Sequence, residues 1–215
     1  MGGIHPGVGA SRDSLKSEME RLPGIRSVAF TGMVPGGDPG GMTAVRPSGA
    51  SQDIEIGFAS ADYGFFETMG IRLIAGRTFS RDFAWDDGSV DFDPATPDEQ
   101  QLLARGVNVI LNEAAVRRLG FADARSAVGR DIGADLIDEG PIPATIVGVV
   151  ADARFGSLRN EVPPLLYGRF GMDLRRMVVR FDSADPTGFR REAERVWRRV
   201  LPDVPLEASF VEDDL

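Results

Sequence analysis

Leu15, Met19 and Leu22 recur at helical spacing from Ser11 onward, and Pro23-Gly24 stops that helix and turns the chain into Ile25–Thr31, which reads as a strand. Ile54, Ile56 and Phe58 alternate with Asp53, Glu55 and Gly57, which predicts a strand with one face buried and one wet. Phe65, Phe66 and Met69 form a compact apolar cluster, and Ile71 to Ile74 predicts a short buried strand ending at Gly76. Val107, Val109 and Leu111 make another alternating strand. Asn112 is placed to cap a short helix carrying Ala115, Val116 and Leu119 before Gly120 ends it. Ala144 to Val150 is nearly continuous in apolar and β-branched residues, the signature of a central strand covered on both faces, with Gly148 permitting a bulge or close packing.

Towards the end, Met177 to Phe181 predicts a strand, and the helix after Asp185-Pro186 places Phe189, Ala193, Val196, Trp197 and Val200 on one face. Its other face carries Arg190, Arg191, Glu194, Arg195, Arg198 and Arg199. Val204, Leu206, Ala208 and Phe210 then alternate as a closing strand. A helix and strand at one end and a strand, helix and strand at the other predict one α/β sandwich built from both chain ends, with the middle inserted. Gly36 to Gly41 reads as a loop or hairpin tip. Arg81 to Gln101, acidic and broken by Pro94 and Pro97, reads as an exposed insertion or mobile loop.

Composition narrows the chemistry. A chain of 215 residues that is 42% hydrophobic can bury a sizeable core, while a net charge of -9 leaves no global basic field for nucleic acid. With no cysteine there is neither a disulfide framework nor a thiolate metal site, and the one histidine, His5, falls in a flexible terminal segment. That removes the usual Ser-His-Asp and Cys-His pairs. No Walker-type glycine loop is present, and Lys16 is the only lysine, so ATP binding is not expected. Asp86-Asp87-Gly88 with Asp91 and Asp93 suggests calcium by composition, yet the spacing is not that of an EF-hand loop, and a solvated acidic loop is the preferred reading. Two-carboxylate acid/base chemistry is open to any acidic chain, but Trp197 falls on an apolar helix face and leaves few aromatics for sugar stacking. No catalytic, cofactor-binding or metal-ligating residue is therefore assigned. No window approaches the 18 or so apolar residues of a membrane helix, and Met1 to Ala10 lacks the apolar core of a signal peptide.

Beyond these patterns, Ser60-Ala61-Asp62-Tyr63-Gly64-Phe65-Phe66-Glu67-Thr68-Met69-Gly70-Ile71, followed by Leu73, Ala75-Gly76-Arg77 and Phe79, resembles a segment typical of MacB-like permease periplasmic domains. Ile110 to Leu119, Ala127-Val128-Gly129-Arg130 with Ile132, and Ile146 to Leu158 with Pro163-Pro164 and Tyr167 are similar to the same family in the same order. So are Met177 to Phe181, Asp185-Pro186 with its helix, and Leu201-Pro202-Asp203-Val204-Pro205. Within this FtsX/MacB class the likeness is nearest to the duplicated orphan permeases.

The resemblance implies an α+β fold: a porter-like α/β sandwich subdomain of residues 11–66 and 172–215, an inserted mixed α/β, sabre-like subdomain of 67–171, and a flexible segment at 1–10. It implies a periplasmic, non-enzymatic domain placed between membrane helices of its own permease chain and beside a second permease domain or subunit. A separate cytoplasmic ABC ATPase would act on it indirectly, by mechanotransmission. No cofactor follows, and the transported substrate stays unknown. The alternative is a free-standing extracytoplasmic ligand- or peptide-binding module, with Gly36 to Gly41 and Arg81 to Gln101 lining a cleft.

Overall fold

The computed structural model describes residues 6–33, 41–89, 98–137, 140–153, 161–171, 174–182 and 185–209. Helix α1 (Pro6–Glu20) leads into β1 (Ile25–Thr31), which pairs antiparallel with β9 (Arg176–Phe181) in a two-stranded sheet. The amphipathic helix α6 (Pro186–Val200) follows β9, and Asp185 caps it by accepting from the Gly188 amide. One face of the β1–β9 sheet, with Val28 and Phe30, packs against Leu15 and Met19 of α1 and Val196 of α6. Those side chains are almost wholly withdrawn from water, and at about 1.5–3 kcal/mol each their burial is what holds two short strands and two helices together. The expected joining of the two chain ends is therefore present.

Among the described residues no closing strand follows α6, and Phe210, the last position of the expected one, lies outside them. Val204 lies in a turn, with its amide bonded to the Leu201 carbonyl and its own carbonyl accepting from the Trp197 indole at 2.7 Å. Residues 205–209 are irregular and largely exposed.

The middle of the chain forms a seven-stranded sheet in the order β4-β7-β5-β8-β3-β2-β6. Its strands are β2 (Gly41–Pro47), β3 (Ile54–Ser60), β4 (Leu73–Gly76), β5 (Val107–Asn112), β6 (Asp131–Ala134), β7 (Ile142–Val150) and β8 (Leu165–Gly168). β6 pairs with both β2 and β7, so β7, β5, β8, β3, β2 and β6 close into a barrel-like ring. The long β7 makes this possible: its first half takes β6 and its second half takes β4 along the same edge. β5 lies parallel to β7 and β3 parallel to β8, while the other pairs are antiparallel. β7 is central as expected, and the register slips between Val109 and Ile110, the bulge anticipated near Gly148. A Cβ on Gly148 would run into the carbonyl of Arg77, so β4 can lie against β7 only because this residue has no side chain.

Several expectations are corrected. β2 and β3 belong to the barrel and not to the end-built sandwich, because their edges pair with β6 and β8. β2, β6, β8 and the short helix α5 (Ala124–Ala127) did not stand out in the periodicity. β4 is an edge strand with Leu73 exposed, not a buried one. β5 is buried along its whole length, Asn108 and Asn112 included. The stretch from Arg81 is exposed at 81–85 and 89, as expected, but it is anchored where the expectation had only a loop. It holds a 3-10 turn, Ala84–Asp86, whose Asp86 is fully buried, and α3 (Asp98–Arg105), whose Leu102 enters the core. Residues 34–40 and 90–97, which include most of the glycine loop and Asp91 and Asp93, lie outside the described residues, as does His5.

Candidate functional site at the joint of sheet and barrel

The segment Ser60 to Ile71, the strongest block of the resemblance, lies where the two parts meet. As β3 ends, Gly32 N–H donates to the Ser60 carbonyl, Asp62 N–H donates to the Phe30 carbonyl, and Thr31 Oγ1 donates to the Ser60 carbonyl at 2.9 Å. Gly64 and Gly70, both left-handed, bracket the short helix α2 (Phe65–Met69). Such backbone angles cost a glycine nothing and most other residues about 1 kcal/mol or more. This turn drops Phe65 and Phe66 between the second face of the β1–β9 sheet (Ala29, Val178) and the end of the barrel (Ile110, Val150, Tyr167). Phe66 and Tyr167 meet edge to face with centroids 5.1 Å apart. The Tyr167 hydroxyl is buried without a hydrogen-bond partner among the described residues, and burial, aided by Asp152, pushes its pKa well up.

A charged network wraps this apolar joint. Arg169, one residue beyond β8 and only 12% exposed at its side chain, bonds Asp62 (Nε to Oδ1, 2.9 Å) and Asp87 (Nη1 to Oδ1, 2.6 Å). Its guanidinium stands 4.3 Å from the Tyr63 ring centre, and Arg81 stands over the same ring at 4.9 Å. Three contacts then reach α1: Arg12 Nη1 to the Gly171 carbonyl at 2.6 Å, Lys16 Nζ to the Tyr63 carbonyl at 3.2 Å, and Arg81 to Asp13 at 3.0 Å.

Protonation follows from this packing. Burial lowers the pKa of Arg12, with the nearby Arg169 charge adding to it. Burial also acts to lower Arg169, but Asp87 and Asp62 outweigh it and hold the guanidinium above its ordinary value. Burial raises Asp87, yet the Ser89 hydrogen bonds and the Arg169 charge leave it net below the usual aspartate value. Burial raises the Tyr63 phenol. Asp87 and Arg169 are thus each shifted towards the charged form, so this pair stays ionised near neutral pH.

A second brace stiffens the barrel side. Asp86 accepts from Arg77 at 2.6 and 2.9 Å, from Asn108 Nδ2 at 2.7 Å and from the Ser80 amide at 2.8 Å. Arg105 adds bonds to the Ala84 and Asp87 carbonyls. Asp86, weighed by composition as a calcium ligand, is thereby consumed by protein donors. No cluster of three metal-ligating side chains occurs among the described residues. In the sequence Asp62 and Tyr63 stand out only as members of the Ser60 to Ile71 block of the resemblance. Arg12 and Arg169 carried no signal at all, since an isolated arginine pairing with a carboxylate 107 positions away leaves no periodic trace.

Two hollows, of about 310 and 470 Å³, lie on the β2–β3–β6 face. They are shallow and share Ala44, Asp53 and Asp135. Among the described residues no helix is long and apolar enough to cross a membrane.

No protein-family model matches the sequence, and no curated protein does. Solved structures do match it in fold. The extracellular domain of the noncanonic ABC-type transporter YknZ from Gram-positive bacteria superposes with a TM-score of 0.51 at 14% identity, over 87% of this chain and 82% of that one. The periplasmic region of MacB from Actinobacillus actinomycetemcomitans gives 0.51 at 15% identity, over 92% and 80%. The fold is that of these extracytoplasmic transporter domains. A permease-protein domain from Porphyromonas gingivalis is similar at 0.51 and 16% identity, over 92% of this chain and 70% of that one. At such identities the likeness is one of fold, and it agrees with the resemblance read from the ordered sequence blocks. In this transporter-domain fold the joint described above lies where the end-built sheet meets the barrel.

Proposed function

We propose that this chain is the extracytoplasmic domain of a MacB-like ABC-transporter permease and works by mechanotransmission, without catalysis. The sandwich of α1, β1, β9 and α6 would be the porter-like part, and the barrel, with β2 and β3 reassigned to it, the sabre-like part. A cytoplasmic ATPase would move the membrane helices that continue from the chain ends, and the joint would carry that movement from α1 and β1 to the barrel. The observation that carries this reading is the joint itself: a packed apolar centre bordered by one ion pair from α1 to Arg81 and by hydrogen bonds from α1 to the Tyr63 and Gly171 carbonyls, in a fold shared with transporter outer domains. Such a contact is stiff enough to transmit force and polar enough at its rim to rearrange.

The test uses the complete permease with its ATPase. The segment itself has no cysteine, so once any cysteine elsewhere in the permease and its ATPase is replaced by serine, spin labels at S17C on α1 and S48C on the barrel report one distance. That distance should differ between the ATP-bound and nucleotide-free states. An identical distance distribution in both would contradict the proposal. The binding-module alternative has little support in the two shallow hollows, and Asp86, within the stretch that would line its cleft, is bound to Arg77 and Asn108.

A further inference from the structure

On a chain whose net charge is -9, α6 carries five arginines against two glutamates. The arginines are not scattered. Arg191, Arg195 and Arg198 follow one another at i, i+4 and i+7 along the middle of the exposed face, while Glu192 and Glu194 flank the stripe. Glu194 bonds Arg198 at 2.6 Å, Glu192 bonds Arg195 at 3.2 Å, and Arg199 pairs with Glu18 of α1. Arg190 and Arg191 have no ionic partner among the described residues. All of these guanidinium groups are open to solvent.

We infer that this arginine stripe docks on anionic phospholipid headgroups at the membrane surface. The inference rests on the outer-domain reading, under which α6, ending at Val200 shortly before the chain would continue into a membrane helix, would lie on the membrane side of the domain. The exposed face has no apolar or aromatic side chain: Trp197 is turned inward with its indole N–H on the Val204 carbonyl. A stable protein partner would need a desolvated apolar or aromatic anchor, whereas a phosphate surface needs only cations, and the guanidinium fork matches phosphate oxygens in pairs. The face therefore fits lipid headgroups better than protein. Inward-turned Trp197 also means adhesion without insertion, reversible as the domain moves. The acidic bulk of the chain does not forbid this, because at physiological ionic strength charges more than about 8 Å away are largely screened.

The 215-residue chain is tested by co-sedimentation with vesicles of equal parts phosphatidylglycerol and phosphatidylcholine, and with phosphatidylcholine alone. Binding is expected only to the first and should fall steeply with added salt. Each arginine near an anionic surface is worth about fivefold in affinity, so R191Q/R195Q/R198Q should bind about a hundredfold more weakly. Its unfolding midpoint should stay close to that of the parent, because exposed ion pairs add little stability. Equal binding to neutral vesicles, full binding by the triple variant, or no binding to either vesicle would each overturn the inference. None of these results bears on the distance change across the joint, so the two readings fail separately.

Discussion

Replacing Arg169 by methionine tests whether the joint is held by its buried charge. The stem length is kept and the guanidinium is lost, which leaves Asp62 as an unpaired carboxylate at 5% exposure. Removing one partner of a buried pair costs about 3–5 kcal/mol. The 12% exposure of Arg169 puts the loss near the lower end. Asp87, with 42% of its side chain exposed, should add little, and the lost contact with Tyr63 adds about 0.5–1 kcal/mol. The expected total is about 3–4 kcal/mol, a large share of the 5–15 kcal/mol typical of a domain. In urea, with a slope of about 2 kcal/mol per molar, the midpoint should fall by about 1.5–2 M. Asp62→Asn in the same background should restore about 2 kcal/mol, because the stranded charge is then gone. A loss below about 1 kcal/mol for R169M, or no coupling in the double-mutant cycle, would refute the reasoning.

Three further outcomes are expected. Tyr167→Phe removes a buried hydroxyl that has no partner among the described residues and should be neutral or stabilising by about 1 kcal/mol in the same denaturation assay, and a clear loss would mean the hydroxyl is bonded. Gly148→Ala puts a methyl against the Arg77 carbonyl and should cost about 1–3 kcal/mol or more by forcing β4 off β7, whereas an unchanged midpoint would deny the close approach. Asp87 should titrate below the ordinary aspartate value of 3.8, so its contribution is fully present above that pH and is lost as the pH falls through the lower folded value. The chemical shift of the Ser89 amide, which donates to Asp87 at 2.9 Å, follows that titration, and a midpoint at or above 3.8 would contradict the assignment.

What the sequence makes legible is what depends on neighbours in the chain. β1 runs over Ile25–Thr31 as expected, α6 exposes and buries the faces its period predicts, and Asn112 caps α4 (Glu113–Arg118) by accepting from the Ala115 amide. The misreadings arise where distant partners decide. Asn108 falls on the polar side of the alternation of Val107, Val109 and Leu111, yet its Nδ2 donates to the remote Asp86, and β5 is buried along its whole length. Asp86 looked like one more solvated acid in an acidic run, and only Arg77 and Asn108 in space make it a buried anchor. Val204 to Ala208 alternates as a strand would, but the Trp197 indole holds Val204 in a turn at the helix end. The joint follows the same rule: Phe65 and Phe66 were visible as core, while Arg12 and Arg169, which complete it, were not.

The central claim, an outer domain carried by a membrane permease, is tested most directly by the topology of the complete protein. The full reading frame containing this segment would be expressed in its native host, and intact spheroplasts treated with protease, using a cytoplasmic protein as the protected control. The account predicts apolar membrane helices flanking the segment, a protein in the membrane fraction, and a domain digested from outside while the control survives. A chain that has no flanking helices and is protected with the cytoplasmic control would contradict it.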